Sequence, residues 1–173
     1  MKHDDNLRAV ATSALFAPIV RFWDHRCPDT GWLSNFYAAP VAHSGVVWPT
    51  SEHLYQSLKF HDPDYKRTIL SIASPKAAKA KAHEWEESMG EANVIGKARI
   101  MREAIMCKFT QHLELADKLL ATTGRIVEAS PTDHVWGVGA VGHGLNLMGM
   151  LLMELRSVLK ANDADQATAR RKP

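Results

Sequence analysis

A chain of 173 residues, 46% apolar and 23% charged, suits one domain with a real hydrophobic core and the composition of an ordinary globular protein. A formal net charge of +2 is too small to argue for nucleic acid as an obligatory partner, though it is compatible with an anionic substrate. Cys27 and Cys107 form neither a CxxC nor a zinc spacing, no apolar run is long enough to span a bilayer, and Asp4 and Asp5 fit neither a secretory signal nor a transit peptide, so reduced thiols and a cytoplasmic location are expected, with no membrane.

Residues 1–17 lack periodicity and read as a flexible leader. Ile19 to Trp23 reads as a short strand, and Pro28, Asp29 and Gly31 mark the loop that leads to Leu33-Ser34-Asn35-Phe36-Tyr37. Pro40 to His43 and Val46 to Trp48 flank Ser44-Gly45, the pattern of a hairpin with glycine at its turn. Pro49-Thr50-Ser51-Glu52 is a sharp helix start in which Thr50 or Ser51 can cap the free backbone donors. That helix is expected to run to about Phe60, with Leu54 and Leu58 on its core face. Asp62-Pro63 and Ser74-Pro75 open two more helices, proline being well tolerated at the first helical position.

Ile100 to Phe109 carries Met101, Ile105 and Phe109 at four-residue spacing, and His112 to Ala121 follows with Leu115, Leu119 and Leu120. Arg125 to Ala129 reads as a strand leading into a glycine-rich loop, Asp133 to Gly144. A last helix, from about Asn146 to Lys160, has Leu147, Leu151, Leu155 and Val158 along one stripe. Residues 161–173 have almost no large apolar side chain and close on Arg170-Arg171-Lys172-Pro173, the composition of a disordered basic tail. Many helices with a few short strands predict an α+β fold, a predominantly helical single domain over residues 18–160.

Three polar clusters are candidates for chemistry. Glu52, Gln56 and Lys59 share one face of their helix, opposite Leu54 and Leu58. The partial positive charge of the helix start favours a carboxylate at Glu52 and is expected to keep it ionised. A solvated polar stripe has the same spacing. Asp133-His134-Val135-Trp136-Gly137-Val138-Gly139 combines an aromatic ring with glycines that allow a close backbone approach to a ligand; an ordinary turn pinned by one buried Trp has the same composition. Gly142 to Asn146 precedes the last helix, where backbone N–H groups could bind an anion or Asn146 could simply cap. The nine histidines form no HxH or HExxH, so no metal is expected.

Taken together, these segments resemble the NADAR family, which includes the YbiA-like N-glycosidases. The matching residues run in family order from 19 to 159: Ile19 to Trp23; Leu33 to Phe36; Trp48-Pro49-Thr50-Ser51-Glu52-His53 with Lys59-Phe60; Ser74-Pro75 with Ala78-Lys79; Met101 with Lys108-Phe109; Leu119 to Thr122; Glu128; Asp133 with Trp136-Gly137; and Gly144-Leu145-Asn146 ahead of Leu151 to Arg156. The chain departs from the family pattern near Asn93-Val94, where a Trp is usual. It also lacks a glycine near Ala80-Lys81. Trp85 lies close to the missing Trp but would need a shift of several residues.

The resemblance implies a hydrolase that cleaves an N-glycosidic bond between ribose and a nitrogenous base, with no cofactor. Two substrate classes follow from it: ribosylamino-pyrimidine phosphates of early riboflavin synthesis, and ADP-ribose attached to guanine, which would make ADP-ribosylated nucleic acid a partner. Glu52 is then the catalytic carboxylate that stabilises positive charge at the anomeric carbon or activates water. Lys59 is a cation for phosphate or an amine that opens the sugar as a Schiff base. Asp133 and Asn35 are candidates for the ribose hydroxyls, Trp136 for stacking on the base, and Gly137 and Asn146 for the remaining contacts. A non-catalytic module that binds ADP-ribose is the alternative.

Overall fold

The computed structural model describes residues 18–88 and 93–169. Strand β1 (Ile19–Phe22) pairs in parallel with β4 (Arg125–Glu128), Ile19 opposite Arg125 and Phe22 opposite Glu128. A parallel pair needs a long crossover, and most of the domain forms it. Within the crossover, β2 (Val41–His43) and β3 (Val46–Trp48) make an antiparallel hairpin. Its turn residues, Ser44 at φ 49° and Gly45 at φ 78°, are both left-handed, which matches the twist of the flanking strands.

The six helices are α1 (Ser51–Leu58), α2 (Pro63–Ser71), α3 (Pro75–Glu84), α4 (Val94–Gln111), α5 (Leu113–Ala121) and α6 (Leu147–Ala169). Four start on side-chain caps. Thr50 accepts from the His53 N–H, Asp62 from Asp64, Ser74 from Ala77 and Asn93 from Gly96, each satisfying a donor that the first turn leaves free. Pro63 and Pro75 stand in the first turns of α2 and α3, where a missing N–H costs nothing.

Helix α1 is the axis of the domain. It packs against α2, α3 and α4 and also meets the hairpin, so that every residue from Ser51 to Ser57 is buried. The core around it includes Leu33, Leu54, Phe60, Ile105, Phe109, Leu119, Ile126 and Leu152. Helix α6 closes the other side by packing on β4 and α5.

Several boundaries differ from the sequence-based expectation. Helix α1 stops at Leu58, with Lys59 as its C-terminal cap. Helix α4 begins six residues before Ile100, because the Asn93 cap starts it at Val94 and its first-turn Gly96 is buried. Helix α6 runs to Ala169 rather than to about Lys160: the stretch expected to be disordered is rich in alanine and free of proline up to that point, which favours helix. Residues 161–165 are solvent-exposed, as their polarity implies. The inward stripe of α6 is Met148, Leu151, Leu152 and Leu155, with Val158 exposed. The leader, residues 1–17, and the last four residues lie outside the described residues.

Candidate functional site

The carboxyl ends of β1 and β4 open into a cavity of about 1070 Å³ whose wall also takes residues from α1, α3 and α4. Ligands in open parallel sheets sit beyond the carboxyl ends of the strands, and the same logic holds for this two-stranded pair. Side chains projecting from the strand ends and helix faces converge there.

The polar face of α1 reaches this cavity as a buried ladder. Glu52, Gln56 and Lys59 are only 4%, 1% and 3% exposed. Gln56 Nε2 donates to Glu52 Oε1 at 2.6 Å, and Lys59 Nζ donates to Gln56 Oε1 at 2.7 Å. One amide therefore joins a carboxyl to an amine, and its orientation is fixed by having a donor at one end and an acceptor at the other. The i, i+4, i+7 spacing brings these groups together, and the solvated-stripe account fails on burial. Tyr55, three residues after Glu52, shares the face: its ring lies 4.5 Å from Lys59 Nζ and meets Trp136 edge-on at 5.6 Å.

Burial changes the chemistry of both ends. Desolvation pushes the Glu52 carboxyl above the usual carboxylate range, against the Gln56 hydrogen bond and the charges of Lys79 and Lys59. The helix start was expected to keep Glu52 ionised; loss of solvent outweighs the partial charge of the helix end, which is worth at most about 2 kcal/mol. Desolvation also lowers Lys59 to about 8, opposed by the charge of Glu52. A lysine near 8 is about one-tenth neutral amine at pH 7.

Asn35 lines the cavity at the foot of α1. Its carbonyl oxygens accept from Ser51 Oγ, main chain and side chain alike at 3.3 Å, and its main-chain oxygen accepts from the Glu52 N–H at 3.2 Å. Its Nδ2 faces the Met101 sulfur, a weak acceptor that a ligand can outcompete. The loop before it is anchored by Lys108, fully buried, whose Nζ donates to the carbonyls of Trp32 at 2.6 Å and Ser34 at 2.8 Å. Burial lowers Lys108 to about 7.

The loop after β4 contributes unevenly. Asp133 and Trp136 line the cavity. Asp133 Oδ1 accepts from the N–H groups of Val135 and Trp136, and its Oδ2 lies 3.8 Å from Lys79 Nζ. Gly137 and Asn146, expected to contact ligand, are placed elsewhere. A Cβ on Gly137 would stand 2.8 Å from the Glu128 carbonyl oxygen, so the glycine there permits a close chain crossing. Asn146 is buried at φ 54°, with Nδ2 donating to the Ile126 carbonyl and Oδ1 accepting from the Glu128 N–H, both at 2.9 Å. Its amide is spent on tying the start of α6 to β4.

Several cavity residues carried no assigned role in the sequence. Lys76, Lys79 and His83 stand at i, i+3 and i+7 on α3 and all face the cavity, a spacing that could have marked them. Trp85 packs on Phe60, Tyr65 and Lys81 and is not among the residues that line the cavity. Among the described residues no group of three or more His, Cys, Asp or Glu is placed to hold a metal ion, and no described helix is long and apolar enough to cross a membrane.

The chain is similar to several known proteins. N-glycosidase YbiA of Escherichia coli (strain K12) is 41% identical over 132 residues, 76% of this chain and 82% of that protein. Its NMR structure superposes with a TM-score of 0.75 at 37% identity, covering 84% of this chain and 87% of that one. A riboflavin biosynthesis protein of Vibrio vulnificus (strain YJ016) is 35% identical over 131 residues, 75% of this chain but 36% of that longer protein. An enzyme that cleaves N-glycosidic bonds is the class that the fold, the site and these relatives define. A model described as the NADAR domain matches residues 21–160, and the chain belongs to the NADAR family.

Proposed function

We propose that the chain hydrolyses the bond between a ribosyl group and a nitrogenous base, and that its substrates are ribosylamino-pyrimidine phosphates of the kind formed early in riboflavin synthesis. The observation that carries this reading is the buried ladder from Glu52 through Gln56 to Lys59, ending in a cavity beside Trp136. The riboflavin assignment is supported by the similarity to a riboflavin biosynthesis protein. ADP-ribosylated guanine is the other glycoside of matching chemistry.

Cleavage builds positive charge at the anomeric carbon. Glu52 stabilises that charge when ionised and, with its raised pKa, is a stronger base than an exposed carboxylate. The neutral fraction of Lys59 attacks the anomeric carbon and opens the ribose as a Schiff base that water then hydrolyses. Gln56 positions both groups. Trp136 stacks on the base, Asp133 Oδ2 and Asn35 take ribose hydroxyls, and the lysines of α3 and α4 meet the phosphate.

The test is incubation with a ribosylamino-pyrimidine phosphate and, separately, with an oligonucleotide bearing ADP-ribosylated guanosine, reading released base by mass. Release from the first is expected. Release from the second alone reassigns the substrate, and release from neither contradicts the proposal.

A further inference from the structure

The chemistry above leaves one proton without a donor. When the glycosidic bond breaks, its electron pair stays on the departing nitrogen, and an amino or amide-type nitrogen leaves readily only if it is protonated as it goes. Glu52 and Lys59 are committed to the anomeric carbon. The cavity holds three further carboxyl groups, Asp24, Asp133 and Glu128. Asp24 is bound by the Arg26 guanidinium at 2.8 Å. Asp133 Oδ1 is taken by two backbone N–H groups.

Glu128 differs from both. It is the last residue of β4, opposite Phe22 at the end of β1, where both strands open into the cavity. Its backbone is held at both polar atoms: the N–H donates to Asn146 Oδ1 at 2.9 Å, and the carbonyl accepts from the Val138 N–H at 3.0 Å. Gly137 crosses against that carbonyl too closely for any side chain. A rigid backbone thus presents a carboxyl to the cavity wall, and among the described residues none donates a hydrogen bond to it.

We propose that Glu128 is the general acid that protonates the departing nitrogen. The inference rests on the reading that this site cleaves a ribosyl N-glycoside. The Glu128 O–H bond breaks as an N–H bond forms on the base, and the C–N electron pair goes to that nitrogen. Water supplies hydroxide to the sugar carbon, directly or by hydrolysis of the Lys59 adduct, and its remaining proton returns to Glu128. The charged groups that face Glu128 are Asp133 from the loop, Lys79 from α3 and Glu52 from α1. Burial, then the charge of Asp133, hold its carboxyl at about 7, with Lys79 opposing, so that a large share carries a proton at neutral pH.

Glu128→Gln is expected to lower kcat by about 100-fold or more with KM within a few-fold of wild type. It should also abolish the fall in kcat that the wild type shows as the acid deprotonates at alkaline pH. Glu128→Asp should restore that fall. On a ribosylpyridinium, whose base departs neutral without a proton, Glu128→Gln should stay within a few-fold of wild type. An equal loss on both glycosides, or an alkaline fall that persists in Glu128→Gln, overturns the assignment while leaving the N-glycosidase reading intact. Failure of the wild type to cleave either glycoside overturns both.

Discussion

Helix α1 and the loop from Asp133 to Asn146 look alike as sequence: each is short, polar and close to an aromatic residue, and each matches the family pattern. They do different work. In α1 the side chains of Glu52, Gln56 and Lys59 bond to one another and face a cavity, and among the described residues no backbone group bonds to the side chains of Gln56 or Lys59. In the loop the polar side chains are largely consumed by the chain itself. Asp133 folds the turn through one oxygen, Asn146 joins α6 to β4, and Gly137 lets two segments cross. Where a side chain's hydrogen bonds go separates chemistry from scaffolding, and it predicts that variants in the two regions fail in different ways.

The largest effect is expected in α1. Glu52→Gln should lower kcat by about 100-fold or more yet leave the fold intact, because the new amide oxygen can still accept from Gln56 Nε2. Glu52 is buried, not exposed, so the neutral variant also escapes the burial of a charge. A melting temperature at pH 8 equal to or above wild type is expected, and a loss of stability comparable to the loss of activity would break the contrast.

Trp136→Ala should come next, weakening substrate binding by about 1–3 kcal/mol if the ring stacks on the base, read as a rise in KM with kcat less affected. Unchanged KM would make Trp136 a packing partner of Tyr55. Asn146→Gly sharpens the comparison from the other side. It keeps the left-handed backbone available and deletes two buried hydrogen bonds, one of them on the Glu128 N–H, so stability should fall by about 1–3 kcal/mol while KM of the folded enzyme stays within a few-fold, any loss of activity falling on kcat through a loosened Glu128. A large rise in KM without destabilisation would put Asn146 on the substrate.

The last effect is in pH dependence. Lys108 titrates at about 7 when folded, against 10.5 for an unperturbed lysine. Between those values the unfolded chain binds more protons, so stability rises with pH across that window. Lys108→Met should show a shallower rise in unfolding free energy between pH 7 and 10.5 than the wild type. Identical slopes would mean that Lys108 is not desolvated as the structure places it.

Much of this was legible in the sequence. Thr50, Asp62 and Ser74 announced their helices, and the 52, 56, 59 spacing put three polar groups on one face. Spacing could not say whether that face met water or a cavity, because the answer lies in α3 and α4, which cover it. For the same reason the depressed Lys59, the raised Glu52 and the fully buried Lys108 were invisible: desolvation is set by the neighbours that tertiary packing supplies. Asn146 is ambiguous in sequence because a polar residue after glycines has the same signature whether it binds a ligand or a neighbouring strand. Glu128 and Lys79 matched the family pattern without any local sign of a role, and only the parallel pairing of β1 with β4 and the packing of α3 beside them bring both to the ladder.

The proposed chemistry requires that the ladder end in a lysine that reacts. Borohydride added during turnover of the ribosylamino-pyrimidine phosphate should trap a reduced sugar adduct, located on Lys59 by peptide mass, and Lys59→Arg should lose both adduct and turnover although it keeps the positive charge. An active Lys59→Arg enzyme, with no adduct on the wild type, would contradict the claim and leave Lys59 as a cation that supports direct attack of water beside Glu52.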